Sequence, residues 1–204
     1  MGPHQRGSRM RFLTIDPQDA LRPAAEGLIA SVYGRTYGAR IASYPRRLIA
    51  LCDADDALVC AAGLRLGWAD SFSACYLDQD VGELILDATG CRVSPTHILE
   101  VTTLAGTGHG HALRLIERVR QIGRGMGMAC GIFTATAPLR RVLRRSGLDV
   151  IALVPARRER VADPAAWGSY YDCDPWVCML ADRAMANPVV PAAMPPPTPA
   201  LLHA

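Results

Sequence analysis

The chain has 204 residues, half of them apolar, which is enough for one substantial core and marginal for two. All 22 basic side chains are arginines, and the small net charge of +3 argues against a nucleic-acid partner. The seven cysteines lie along apolar stretches without a CxxC pair, which predicts buried reduced thiols and no metal site.

Targeting signals are also missing from the sequence. Residues 1–9 are polar and lack the apolar core of a secretory signal. No stretch approaches the roughly 20 apolar residues that a membrane-spanning helix needs. The sequence therefore predicts a cytoplasmic protein without a membrane span.

The first half of the chain predicts a strand, a helix, a hairpin and a second helix. The strand covers residues 11–16, and the helix that follows becomes regular at Pro23. Two apolar runs, 48–52 and 57–66, flank an acidic turn at 53–56, which predicts an antiparallel hairpin. Residues 79–88 have helical periodicity, with Asp78 available as the cap.

The second half predicts strands and helices in alternation. An apolar run at 97–104 is typical of a central strand, and a glycine loop at 106–110 leads from it into an amphipathic helix. Strands at 129–136, 148–154 and 176–180 and a helix at 138–146 follow.

This order of elements is that of an N-acyltransferase-like (GNAT-like) fold, an α/β architecture in which helices flank a mixed central sheet. We expect a single GNAT-like domain at residues 11–183. Residues 1–10 and the proline- and alanine-rich residues 184–204 are predicted to be disordered.

Glu100 is the first candidate for chemistry, because it interrupts the apolar strand at 97–104. A carboxylate between Leu99 and Val101 should be desolvated and so take up a proton more readily, as a base in acyl transfer to an amine must do. The alternative is a buried carboxylate bonded to neighbouring backbone or to an arginine.

The glycine loop is the second candidate. Its register, Thr103-Leu-Ala-Gly106-Thr-Gly108, fits the two glycines of an acyltransferase signature but lacks the leading cation. A loop without side chains lets backbone N–H groups and a helix N-terminus approach an anion closely. A phosphopantetheine or pyrophosphate site is therefore predicted at Leu104, Ala105, Gly106, Gly108 and Gly110, and a plain turn before a helix is the alternative.

Threonines and aromatic residues supply further candidates. A polar substrate channel between the central strands is predicted from Thr102, Thr103, Thr134 and Thr136, although each fits a strand as an ordinary β-branched residue. Tyr170 or Tyr171 can supply a phenolic acid or close the acyl pocket, and Trp167 and Tyr76 are predicted to contact substrate. Packing of these aromatics on the core is the alternative.

Two arginine clusters, at residues 140–145 and 157–160, can steer an acidic substrate or an acidic carrier protein. An ordinary solvated surface is the alternative for both clusters.

Several motifs together resemble one known family. The segment Trp167-Gly-Ser-Tyr-Tyr-Asp-Cys-Asp-Pro175-Trp-Val177 resembles the W-G-x-Y-Y-x-x-x-P-x-V signature of the thermostable hemolysin family. Ile98-Leu-Glu-Val101 with Leu104-Ala105 is similar to its I-V-E-V-x-x-L-A strand, and Phe133-Thr-Ala-Thr136 to its F-T-x-T-x-x-L passage. The resemblance covers residues 30–182, and Thr102-Thr103 departs from the usual Gly-Asn.

That family is similar in layout to N-acyltransferases and, more distantly, to acyl-homoserine-lactone synthases. The resemblance implies an enzyme that moves an acyl or aminoacyl group from a thioester, on acyl carrier protein or coenzyme A, to a small amine. Biosynthesis of a specialised metabolite or a signal would be its setting, with no tightly bound cofactor. The alternatives are a membrane-active cytolysin, as the family name suggests, and a non-catalytic module that binds an acyl chain or a carrier protein.

Overall fold

The computed structural model describes residues 10–181, so the predictions of disorder for residues 1–10 and 184–204 lie, except for Met10, outside the described residues. Seven strands and four α-helices follow one another in the predicted order. They are β1 (Arg11–Ile15), α1 (Arg22–Tyr37), β2 (Arg47–Cys52), β3 (Leu58–Leu66), α2 (Val81–Thr89), β4 (Ile98–Gly106), α3 (His109–Gly125), β5 (Cys130–Ala135), α4 (Ala137–Arg145), β6 (Val150–Pro155) and β7 (Trp176–Ala181). Within residues 10–181, no helix combines the length and the apolar character that crossing a bilayer requires.

All seven strands belong to one mixed sheet in the order β1-β2-β3-β4-β5-β7-β6. Strands β4 and β5 pair in parallel, and every other neighbouring pair is antiparallel. The predicted GNAT-like sheet is therefore confirmed, and its one parallel pair lies at the centre.

Local side-chain chemistry explains two of the connections. The predicted β2–β3 hairpin is confirmed, because the carboxylate of Asp53 accepts hydrogen bonds from the N–H groups of Asp55 and Ala57 across the turn. The prediction that Asp78 caps α2 is wrong. Asp80 is the cap, with its Oδ1 accepting from Gly82 and Glu83, since it directly precedes the first helical residue.

Helices cover both faces of the sheet. Ile29 of α1 packs with Leu48 in one core cluster, whereas Leu115 of α3 packs with Ile49 in another. Because successive strand residues point to opposite faces, α1 and α3 lie on opposite sides of β2. Helix α2 shares the side of α1, and α4 packs with α3.

A segment before β7 crosses the end of α1 and brings aromatic side chains to the sheet. The N–H of Ser169 donates to the carbonyl of Tyr37 at 2.8 Å. Gly168 has a φ of +53°, and a Cβ there would lie 2.0 Å from the Tyr37 carbonyl oxygen. Glycine is therefore required at this crossing, which delivers Trp167 and Tyr170 on either side of it.

Candidate active site

The central parallel pair opens into a gap. Strands β4 and β5 are paired from Ile98, opposite Cys130, to Val101, opposite Phe133. Beyond this point β4 continues beside β3 alone, and β5 continues beside β7 alone. Backbone groups that face the gap therefore have no strand partner, and a ligand can use them.

A β-bulge lies on β4 at the edge of this gap. Gly63 of β3 is opposite Thr102, but Ala61 is opposite Ala105, so β4 contains one extra residue. Thr103 in the bulge has a φ of +49°, in the left-handed region that β-branched residues rarely adopt. Such strain is concentrated at functional sites, where the surrounding structure maintains it.

The hydroxyls of the two bulge threonines are buried without a partner. Thr102 Oγ1 and Thr103 Oγ1 have no hydrogen-bond partner among the described residues. A Cβ on Gly63 would lie 2.5 Å from Thr102 Oγ1, so the glycine makes room for that hydroxyl. Buried hydroxyls normally find a partner, so these two are exceptions at the edge of the gap.

A cavity of about 260 Å³ opens on the α1 side of the gap. Aromatic side chains form one wall, and hydroxyls and two guanidinium groups supply the polar lining. The residues that line it include Arg40, Arg65, Phe72, Ser73, Tyr76, Thr102, Thr103, Thr134, Asp163, Trp167 and Tyr170. Thr102, Thr103, Thr134, Tyr76 and Trp167 thus reach one cavity, as their predicted role in substrate binding requires.

A smaller cavity of about 100 Å³ passes through the gap towards α4. Its walls are mostly apolar and include Leu104, Ile116, Phe133 and Leu143. It shares residues with the larger cavity: Tyr33, Val101, Thr103, Thr134 and Tyr170. The two cavities therefore meet at a junction between the bulge and β5, and Thr136 lines the smaller one.

Glu100 is fully buried, as predicted, but its carboxylate is occupied. Oε1 accepts from the N–H of Ser73 at 2.7 Å, and Oε2 accepts from the N–H of Phe72 at 3.0 Å and from Arg65 Nη1 at 3.1 Å. Glu100 lines neither cavity, whereas its partners Arg65, Phe72 and Ser73 line the larger one. The alternative of a carboxylate satisfied by an arginine and neighbouring backbone is the one observed.

The tyrosines differ in position. Tyr170 is buried and lines both cavities, and its hydroxyl lies 3.5 Å from the Thr134 carbonyl oxygen. Tyr171 lines neither cavity, because its hydroxyl is directed to that of Tyr76 at 2.7 Å. Burial raises the pKa of Tyr170 and of Tyr76 well above the ordinary value, so both phenols stay protonated near neutral pH.

The glycine loop is shorter than predicted. Gly106 still belongs to β4, and the next N–H, of Thr107, donates to the carbonyl of Val59 at 2.9 Å. Ala105 is buried in the core, and Leu104 lines the smaller cavity. The segment retains an uncapped helix start, because Gly108 precedes α3 without a side-chain cap.

Sequence reasoning missed Arg65, Arg40 and Ser73. Arg65 had a detectable signal, since it is a charged residue in an otherwise apolar strand and lies directly opposite Glu100 on β4. Two opposite charges in apolar neighbouring strands indicate a pair. Ser73 and Arg40 lie in irregular segments, where spacing gives no such signal.

Comparison with known proteins gives a family and a fold. The profile described as thermostable hemolysin matches residues 15–185. No curated protein sequence matches the chain. Among solved structures, the AHL synthase LasI is 14% identical, with a TM-score of 0.57, covering 86% of this chain and 90% of its own.

Two further structures have the same architecture. FeeM, an N-acyl amino acid synthase from uncultured soil microbes, is 12% identical, with a TM-score of 0.55 and coverage of 87% and 92%. BjaI, a CoA-dependent acyl-homoserine lactone synthase solved with SAM and isopentyl-CoA, is 14% identical, with a TM-score of 0.54 and coverage of 88% and 86%. At these identities the likeness is one of fold.

Proposed function

This chain belongs to the thermostable hemolysin family, and we propose that it is an acyltransferase that moves an acyl or aminoacyl group from a thioester to a small amine. The observation that carries the proposal is the junction of two cavities at the gap between β4 and β5. An apolar cavity suits an acyl chain, and a polar cavity suits an amine. Their junction is where the reacting carbon and nitrogen would meet.

The gap would also receive the arm of the thioester donor. An extended phosphopantetheine can hydrogen-bond to backbone groups of β4 that have lost β5 as a partner. The segment Gly106, Gly108 and Gly110 and the uncapped start of α3 then lie near the phosphate end of the arm. Amides of the bulge, within Thr102–Ala105, are the donors we assign to the oxyanion.

The reaction needs no net proton uptake. The amine nitrogen attacks the thioester carbon, the tetrahedral oxyanion collapses, and the C–S bond breaks to release a thiolate. The amine loses one proton and the thiolate gains one. Tyr170 and the Ser73–Thr134 hydroxyl pair, whose oxygens are 3.2 Å apart, border the junction and can pass this proton.

We assign Glu100 a positioning role in place of the predicted role as base. Its carboxylate holds Arg65 and the backbone of Phe72 and Ser73, and these three residues contact the larger cavity. Tyr171 acts in the same way through Tyr76. Both roles are indirect, because neither Glu100 nor Tyr171 lines a cavity.

A basic surface on α3 and α4 supports a thioester donor that carries acidic groups. Residues 109–149 contain eight arginines against Glu117 and Asp149, so the rest of this +3 chain is net negative. Arg141 and Arg145 are exposed and form no ion pair within the described part of the chain. The phosphates of coenzyme A and the acidic surface of an acyl carrier protein both suit this surface.

The test is thiol release from a panel of acyl-coenzyme A and acyl-carrier thioesters, with and without a pool of amines, followed together with product mass. Amine-dependent release is expected, and Thr134→Val should reduce it at least tenfold. Thr14→Val, at an exposed position of β1, is the matched control and should leave it unchanged. Donor binding without release from any thioester would refute acyl transfer and favour a binding module.

The basic surface provides a way to tell the two donors apart. We expect the double variant Arg141→Gln with Arg145→Gln to raise the KM for a carrier-bound thioester and to weaken its dependence on salt. The KM for acyl-coenzyme A should change less if its phosphates bind at the start of α3. Equal KM values for wild type and variant with both donors would exclude this surface from donor binding.

A further inference from the structure

The larger cavity contains two guanidinium groups that the transfer chemistry does not use. Arg65 extends from β3, and Arg40 follows α1, where its N–H donates to the carbonyl of Ala166 at 2.7 Å. Within the described part of the chain, Asp163 is the one carboxylate in the lining. The lining therefore presents two guanidinium groups and one carboxylate, and the carboxylate of Glu100 lies behind Arg65, outside the lining.

Arg65 is held in place before any ligand arrives. Its Nη1 donates to Glu100, and that carboxylate is itself fixed by two backbone N–H groups. A guanidinium has five N–H donors in a rigid fork, and the bond to Glu100 is the one that Arg65 makes to a described residue. The remaining donors are free to bind a planar anion in the cavity.

Arg40 is the more exposed of the two cations. Its side chain is exposed and forms no ion pair within residues 10–181. The carboxylate of Asp163 accepts from the N–H of Ala166, which directs it to the backbone of the nearby turn. Arg40 is thus available to pair with an anion that Arg65 also contacts.

Arg65 lies close to the junction along the sheet. Arg65 and Gly63 are two residues apart on β3, so they lie on the same face of the sheet, about 7 Å apart along the strand. Thr102 is opposite Gly63 on β4 and lies on that face too. Thr102 and Thr103, whose buried hydroxyls have no hydrogen-bond partner among the described residues, line the same cavity. A ligand that contacts Arg65 can therefore also reach the junction.

Accepting the proposed acyl transfer, we infer that the acceptor amine bears a carboxylate, as an α-amino acid does. The carboxylate would bind Arg65 and Arg40 through charge-assisted hydrogen bonds. Its amine, two bonds away, would then be directed to the Thr102–Thr103 bulge and the thioester carbon. The aromatic wall of Phe72, Trp167 and Tyr76 would contact the amino-acid side chain.

The inference is tested first by binding, without any acyl donor. The twenty L-amino acids and, for each of six with different side chains, the corresponding decarboxylated amine are titrated calorimetrically, with and without coenzyme A. We expect at least one amino acid to bind at least tenfold more tightly than its decarboxylated amine. Equal or tighter binding of the amines, or no amino-acid binding under either condition, would overturn the inference.

Variants locate the site. Arg40→Gln should weaken binding of that amino acid at least tenfold and leave binding of its decarboxylated amine unchanged. Arg65→Lys keeps the charge next to Glu100 and removes the fork, so it should act in the same direction. Arg35→Gln, on the exposed last turn of α1, is the control and should have no effect. Unchanged amino-acid binding in Arg40→Gln would contradict the assignment.

The outcomes separate this inference from the proposed function. An enzyme that releases thiol only with amines lacking a carboxylate supports acyl transfer and refutes the amino-acid acceptor. A protein that binds amino acids through Arg40 but releases no thiol supports the site and refutes acyl transfer.

Discussion

Replacing Glu100 by glutamine should destabilise the fold. Two carboxylate oxygens accept three hydrogen bonds in a fully buried position, and glutamine offers one acceptor and one NH₂ group instead. At least one of the three donors, Arg65 or the N–H groups of Phe72 and Ser73, must then face the NH₂ group of the glutamine, which is itself a donor. Removing one member of a buried charge pair costs about 3–5 kcal/mol.

This magnitude is easily measured. At this chain length a loss of 1 kcal/mol lowers the melting temperature by about 2–4 °C, so Glu100→Gln should lower it by roughly 6–20 °C. The assay is calorimetry or urea unfolding of wild type and variant at pH 7. Glu83→Gln is the matched control, because the half-exposed Glu83–Arg92 pair should contribute less than about 1 kcal/mol.

The same variant separates two roles for this carboxylate. If Glu100 only positions its neighbours, thiol release and stability should fall together, and activity measured at low temperature should recover in part. An unchanged melting temperature with complete loss of thiol release would refute the positioning role and make Glu100 the base.

Three further perturbations test the site and the core. Thr103→Gly should raise the melting temperature, because a non-glycine residue at positive φ costs about 1–2 kcal/mol; a lower melting temperature would contradict strain at the bulge. Leu143→Ala should destabilise by about 2–5 kcal/mol and, in a chain-length series of thioesters, shift kcat/KM towards longer acyl groups; an unchanged preference would show that the acyl group binds elsewhere. Burial raises the pKa of Cys60 and Cys130 from 9.0 to about 12, so the folded state keeps protons that the unfolded state loses. The stability that these two buried thiols confer is complete below pH 9 and is lost as the pH rises towards 12. Urea unfolding should therefore give a lower free energy of unfolding at pH 10.5 than at pH 8, and equal values would contradict the prediction.

The sheet could be predicted from sequence because its strands carry strong local signals. The β2–β3 hairpin has two apolar runs around an aspartate-rich turn, and Asp53 closes that turn as aspartates do. The burial of Glu100 followed in the same way from its apolar neighbours. The partners of its carboxylate are Arg65, 35 residues earlier, and the backbone N–H groups of Phe72 and Ser73. The charge of Arg65 in an apolar strand gave a signal for the first contact, but spacing gives none for the two backbone contacts.

The boundaries of the glycine loop could not be predicted for a different reason. The glycine register before α3 predicts a loop at Gly106, but this residue belongs to β4 and is in tight contact with Cys60, whose sulfur would lie 3.0 Å from an added Cβ. Tyr170 and Tyr171 are neighbours in sequence, and only the turn after Gly168 decides which of them reaches the junction. Such choices depend on tertiary contacts.

The position of β7 has a consequence for synthesis of the protein. This strand follows all the others within residues 10–181, yet it lies between β5 and β6 and hydrogen-bonds to both. A nascent chain in which β7 has not left the ribosome therefore has β6 detached and the apolar edge of β5 open to other strands. We expect the sheet to close only after β7 has emerged, so a ribosome stalled before Trp176 would expose a chain that chaperones must protect.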